Sequence, residues 1–191
     1  MRDEKEIIQA VVHGDAEAFA DLVRAHQARV RLACLVWLGN AEEANDSAQD
    51  VFIKAFKSLD GFKGEASFLT WILRIADNHC RDVLRTRTTR RAESLDALLA
   101  EKGEAFEGLL ARSAGAADSP LYTPADLELL GRFFAALPQD DREILALREV
   151  EELPYEVIAE KLFCSLDAVK GRLKRARQNL IEKCEKFLVS A

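Results

Sequence analysis

Pro154-Tyr-Glu-Val-Ile-Ala-Glu-Lys-Leu162, Phe163-Cys-Ser165 and Leu166-Asp-Ala-Val-Lys-Gly-Arg-Leu-Lys-Arg-Ala-Arg-Gln-Asn-Leu180 follow one another without a gap and differ in character. The first segment reads as a short helix with proline in its first turn, where a missing N–H is harmless. The second is a turn that ends on Ser165, a residue type whose hydroxyl caps a following helix. The third places Leu166, Val169, Leu173, Ala176 and Leu180 on one narrow apolar stripe. At about 100° per residue, Asp167, Ala168, Gly171, Lys174 and Arg175 face away from that stripe, with Lys170 and Arg172 beside them. Ala159 is small where the two helices must approach closely. A solvated basic helix would explain the third segment alone. Short helix, short turn and second amphipathic helix together point to a helix-turn-helix whose basic front enters a major groove.

Upstream of this element the chain reads as all-α, with no convincing strand. Asp15 to Leu38 places Phe19, Leu22, Val23, His26, Val30 and Ala33 at three- and four-residue steps. After the Gly39-Asn40 break, a second long helix runs from about Ala41 to Leu59. Ser67 is placed to cap a third, with Phe68, Ile72, Ile75, Ala76, His79 and Val83 on one side. These three helices can share one core. Residues 92–125 are acidic and alanine-rich and are broken by Gly103, Gly108, Gly115, Pro120 and Pro124, so they read as a flexible acidic linker with room for a short helix at Leu95–Leu99. Helical pattern resumes near Asp126. The expected organisation is a helical bundle over 1–91, a linker over 92–125 and a helix-turn-helix domain over 126–191.

Composition narrows the function classes. The 191 residues are 49% hydrophobic with only four prolines, which favours packed cores over disorder. No apolar run approaches a membrane span, and the start, Met-Arg-Asp-Glu-Lys-Glu, lacks the apolar core of a signal peptide, so a cytoplasmic location is expected. Cys34, Cys80, Cys164 and Cys184 lie far apart and fall in or beside apolar stretches, where free cysteines act as small hydrophobes. His79-Cys80 has no second pair of metal ligands near it, and no cofactor is expected. The net charge of −6 is unevenly spread. Basic residues cluster in Arg74–Arg91 and Lys170–Arg177, acids in Glu42–Asp50 and Glu93–Glu107. That segregation suggests two surfaces for DNA and an acidic one for a protein.

Two helices of the first domain have faces that packing leaves unexplained. With Ala44, Ala48, Val51, Phe52, Ala55 and Leu59 inward, the outer arc of the second shows Glu43, Asp46, Gln49, Asp50 and Ile53. An isoleucine among acids looks like a contact patch for a basic protein surface. On the third helix, Trp71, Arg74, Asn78, Arg81 and Arg85 form a ladder, extended by Arg87, Arg90 and Arg91. Arginines supply phosphate contacts, asparagine reads a base edge and an aromatic stacks on an unpaired base, although Trp71 borders the apolar face and also suits the core. The preceding loop, Phe62-Lys63-Gly-Glu-Ala-Ser67, has the size to hold a base pulled from the stack.

These segments resemble the extracytoplasmic-function sigma factors, the compact specificity subunits of bacterial RNA polymerase. Gln49-Asp-Val-Phe-Ile-Lys-Ala-Phe56 is similar to that family's polymerase-binding helix. Phe62-Lys-Gly-Glu-Ala-Ser-Phe-Leu-Thr-Trp71 with Asn78-His-Cys-Arg-Asp82 resembles its melting and −10-reading segment. Leu137-Pro138, Arg142-Glu143 and Val169–Arg177 resemble its −35-reading domain. The resemblance implies that Asp46, Gln49, Asp50 and Ile53 dock on the clamp helices of the largest polymerase subunit. It implies −10 contacts and melting by Phe62, Lys63, Ser67, Trp71, Arg74, Asn78, Arg81 and Arg85, and −35 contacts by Ser165, Lys170, Arg172, Lys174 and Arg175. The implied partners are core polymerase, including the flap of its second subunit, promoter DNA and an anti-sigma factor, with no membrane insertion. Phe163 stands where that family commonly has glycine, Asp167 and Ala168 replace Gly-Thr, and Gly171 replaces serine; these departures bear on −35 preference.

A stand-alone helix-turn-helix regulator binding an operator as a dimer would explain 154–180 but leave the arginine ladder and the Asp46–Ile53 patch without purpose. A protein-interaction module would not need Arg172 and Arg175. An enzyme is the poorest reading: His13, His26 and His79 are scattered, and no phosphate loop or nucleophile beside a base is visible. The linker's acidity suits a mimic of nucleic acid inside the polymerase. Replacing Glu101, Glu104 and Glu107 together by glutamine is therefore expected to change the yield of short initial transcripts in a reconstituted initiation assay.

Overall fold

The computed structural model of the chain describes residues 3–92 and 123–189. Among these residues there is no strand and there are eight α-helices. They are α1 (Glu4–Val12), α2 (Phe19–Leu38), α3 (Ala41–Ser58), α4 (Phe68–Ala92), α5 (Pro124–Ala135), α6 (Gln139–Leu145), α7 (Tyr155–Lys161) and α8 (Leu166–Val189). The linker expected over 92–125, including the short helix at Leu95–Leu99, lies outside the described residues apart from its ends.

Each boundary has a local cause. A 3₁₀ turn at Ala16–Ala18, capped by the Asp15 carboxylate, precedes α2, so that helix starts later than Asp15. The Ser67 hydroxyl accepts from the Thr70 N–H at 3.1 Å and opens α4. Thr123 and Asp126 cap α5 reciprocally: the Thr123 hydroxyl accepts from the Asp126 N–H at 3.2 Å, and the Asp126 carboxylate accepts from the Thr123 N–H at 2.8 Å. The Ser165 hydroxyl accepts from the Ala168 N–H at 3.2 Å and opens α8.

The described residues fall into two compact units, the first holding residues up to Val30 and from Ser47 onward, the second Arg31–Asp46 together with the helices from α5. In the first, Phe19, Leu22, Val51, Ala55, Phe68, Ile72 and Cys80 are fully or almost fully buried. The Phe19 ring meets Phe52 edge-on at 6.4 Å and Phe56 at 5.1 Å. Ile75 and Val83, expected inside, are only half-buried. Helix α1, which periodicity did not reveal, joins through the Glu4 carboxylate, 2.9 Å from His26 Nε2.

In the second unit Val36, Trp37 and Leu38 are buried at the turn between α2 and α3. Arg142 Nη1 donates to the Leu38 carbonyl at 3.2 Å and so satisfies one of the open acceptors at the end of α2. Gly39 makes this approach possible. Its φ is +67°, and a Cβ there would lie 2.3 Å from Arg142 Nη1 and 2.9 Å from the Ala135 backbone. Val169, Leu173 and Ala176 of α8 and Ile158 and Ala159 of α7 are buried in the helix-turn-helix. Leu166, at the start of the stripe, is 40% exposed. Asn179 donates to the buried Asp141 at 2.6 Å, and Arg177 Nε donates to Glu149 at 3.0 Å, tying α8 to α6 and the π-type turn that follows it.

The turn between α7 and α8 keeps its left-handed residue although that residue is aromatic. Phe163 has φ +49° and is 96% exposed, so the strain is accepted at the surface. Phe163→Gly is expected to stabilise the protein by about 1 kcal/mol, because glycine relieves a left-handed penalty and no packing is lost. Urea denaturation of the two chains measures it.

Candidate nucleic-acid and partner interfaces

Burial of one stripe on α8 fixes what its other side presents. Lys170, Lys174 and Arg175 are exposed, Arg172 is half-buried, and Ser165 is exposed at the cap. Asp167 sits on the same front, its carboxylate 3.5 Å from Lys170 Nζ. A Cβ on Gly171 would meet nothing within 4 Å, so the middle of this front is open. The arrangement is a basic, low-relief helix face of the kind a major groove admits.

Helix α4 divides in the same way. Phe68, Ile72, Leu73, Ala76 and Cys80 are buried, while Arg74, Asn78 and Arg85 are exposed. Arg81 is held differently: its Nε donates at 2.7 Å to Asp77, whose side chain is 2% exposed. A buried carboxylate therefore orients this guanidinium one turn along. Asp77 was not singled out from the sequence, although its i,i+4 spacing to Arg81 was the available signal.

The loop before α4 is anchored by rings. Phe62 is half-buried, 5.2 Å from Trp71 and 6.0 Å from Phe68, and Trp71 lies 5.6 Å from Phe68. Lys63, Gly64, Glu65 and Ser67 project as an exposed tip, with φ +70° at Gly64 allowing the bend. Trp71 is thus a half-buried wall of an aromatic cluster, serving core and surface at once.

Along α3, Asp46, Gln49 and Asp50 are exposed and Ile53 is half-buried, with Val51, Phe52 and Ala55 inside. Behind this acidic face lies a contact that sequence reasoning missed. His79 of α4 is buried, with Nδ1 2.7 Å from Lys54 Nζ and Nε2 3.8 Å from Asp50. Burial first, then the Lys54 charge, hold its pKa below the ordinary 6.5, opposed by Asp50 and Asp82. No group of three or more metal-ligating side chains is present among the described residues.

The segments that carry these faces are similar to known proteins. Residues 22–90 match Sigma-70 region 2, and residues 127–180 match Sigma-70, region 4. The RNA polymerase sigma-H factor of Pseudomonas aeruginosa is 33% identical over 189 residues, covering 98% of this chain and 97% of that one. The ECF RNA polymerase sigma-E factor of Haemophilus influenzae is 32% identical over 183 residues, covering 95% of each chain. Its Escherichia coli K12 counterpart is 30% identical over 190 residues, covering 95% of this chain and 94% of that one. Among solved structures, CnrH in complex with the cytosolic domain of CnrY is similar in fold, with a TM-score of 0.54, 24% identity and coverage of 96% and 97%. The sigma factor RpoE with the anti-sigma factor NepR from Bartonella quintana gives 0.56, 20% identity and coverage of 86% and 97%.

The depressed His79 pKa has a direct consequence for stability. The unfolded chain takes up a proton near pH 6.5 that the folded chain resists, so stability is full above that pH and falls as pH drops below it. Urea midpoints at pH 7.5 and 5.5 are expected to show the decline, and a His79→Leu chain a smaller one.

Proposed function

Because the chain belongs to the extracytoplasmic-function sigma factors and directs bacterial RNA polymerase to promoters in transcription initiation, we propose how its faces divide that work. Residues 1–91 bind core polymerase and read and open the −10 element, 92–125 form the tether, and 126–191 read the −35 element. On α8, Lys170, Arg172, Lys174 and Arg175 contact the −35 element, with Ser165 at the capped start of the helix.

On α4, Arg74, Arg81 and Arg85 hold the phosphate backbone and Asn78 reads a base edge at the −10 element. The exposed tip from Lys63 to Ser67, over the floor of Phe62 and Trp71, receives a base of the unpaired strand. Extracting a base costs a few kcal/mol. Stacking and pocket contacts of ~1–3 kcal/mol per base offset that cost. Chemistry stays with the polymerase; this chain positions DNA.

On α3, Asp46, Gln49, Asp50 and Ile53 dock on the clamp helices of the largest polymerase subunit, while the C-terminal helices meet the flap of the second subunit. The protein acts inside the cell and is held in check by an anti-sigma factor; the similar RpoE of Bartonella quintana is in complex with the anti-sigma factor NepR.

The observation that supports this division is the occurrence of three exposed polar faces on α3, α4 and α8, each backed by a buried apolar stripe. A stand-alone operator-binding regulator uses only the last. Two weak DNA readers on one tether gain affinity when a scaffold holds both at matching sites. With a net charge of −6, the free chain is expected to bind DNA weakly.

Run-off transcription with bacterial core polymerase over a promoter library tests the assignment. The chain is expected to select promoters. Arg172→Ala with Lys174→Ala should lower promoter-specific transcription at least roughly tenfold while core binding persists. Asp46→Arg with Asp50→Arg should abolish core binding and leave folding intact. A promoter footprint by the free chain that ignores core polymerase would instead favour the dimeric regulator.

A further inference from the structure

Asp50 and Lys54 stand four residues apart on α3, acid before base, which is the spacing and order that favours an ion pair along a helix. Such a pair would neutralise Asp50, a carboxylate that the docking reading above requires for a basic partner. The two side chains do not pair. Lys54 Nζ instead lies 2.7 Å from His79 Nδ1, and the Asp50 carboxylate lies 3.8 Å from Nε2 of the same ring.

The chemistry of this contact fixes the tautomer. An ammonium only donates, so Nδ1 must accept and the ring hydrogen sits on Nε2. Nε2 is buried and has no hydrogen-bond partner, since 3.8 Å is too long for one. The Asp50 side chain stays 55% exposed, while His79 is 8% exposed as a residue. The charged groups facing the ring are Lys54 and Asp50 from α3 and Asp82 from its own helix.

We propose that His79 is a positioning residue for polymerase docking: by taking the Lys54 ammonium on Nδ1 it diverts that cation from Asp50 and keeps the carboxylate available to a basic partner surface. The proposal rests on the docking role given to α3 above. It also assigns a consequence to acid. A proton on Nδ1 turns the Lys54 contact into repulsion, releases the ammonium toward Asp50 and masks the docking charge.

The test measures binding of the full chain to core polymerase by competition, at pH 7.5 and 6.0. His79→Leu keeps apolar volume and frees Lys54, and is expected to weaken binding roughly fivefold at pH 7.5. Adding Lys54→Met to that variant should restore binding to within about twofold of wild type, a rescue that a purely structural loss would not give. Lys54→Met alone, an exposed change that leaves the core untouched, should bind as tightly as wild type and lose the acid sensitivity. Nitrogen-15 spectra of the His79 ring in the free chain should show a bare Nδ1.

Unchanged binding of His79→Leu, weakened binding without rescue, or a protonated Nδ1 at pH 7.5 overturns the proposal and leaves the docking reading standing. Failure of the wild-type chain to bind core polymerase overturns the docking reading and the proposal together.

Discussion

Phe68 is completely buried, and the rings of His26, Phe62 and Trp71 pack around it at 5.3, 6.0 and 5.6 Å. Three elements with separate tasks meet there: α2 brings His26, the loop brings Phe62, and α4 brings Trp71. Aromatic contacts of this kind contribute beyond the area they bury and favour particular ring orientations. The start of α4 is therefore fixed in angle as well as in position. A loop that accepts a base, the role proposed for this one, works only if its floor does not move with its tip. Here the floor is part of the core and the tip, Lys63 to Ser67, is not.

The faces of α3 and α4 impose opposite electrostatic demands on one small unit. In the roles proposed above, one must stay acidic for a protein and the other basic for DNA, and both helices share a core. Burial of apolar stripes keeps the faces apart, but residues at the border are within reach of both. Lys54 occupies such a border and reaches His79, while Asp77, buried on α4, holds Arg81. Both contacts use a buried or half-buried partner, where a polar interaction is worth more than on open surface. The outward faces keep the signs that the proposed roles require.

Much of this is legible in the sequence, because a helix writes its buried face into the spacing of its apolar residues. Phe19, Leu22, Val51, Phe52, Phe68, Ile72, Val169 and Leu173 all lie on faces whose spacing points inward, and all are buried. The Ser67 and Ser165 caps are legible because capping chemistry is local. Contacts between helices are not legible. Spacing places His79 on the inner side, yet its partners lie 25 and 29 positions away, where pairing depends on how two helices cross. The Arg142 contact with the Leu38 carbonyl spans 104 positions and leaves no trace in periodicity. Helix α1 escapes too, although its Asp3 cap and the apolar Ile7 and Ile8 were available signals.

Several cations on the exposed faces of α4 and α8 already have acidic neighbours. Arg85 lies 3.0 Å from Asp82, and Lys170 lies 3.5 Å from Asp167. All four side chains are more than half exposed, so these pairs add little to stability. Their effect falls on binding. Before either cation can neutralise a phosphate it must leave an acid, which lowers the net gain from indiscriminate backbone contact. Aspartate beside lysine on a recognition helix also penalises bases that present only acceptors at that point of the groove. In the division of work proposed above, the affinity of each reader for arbitrary DNA would thus be held down, and discrimination would depend on both readers finding their elements while the α3 face is seated on the polymerase.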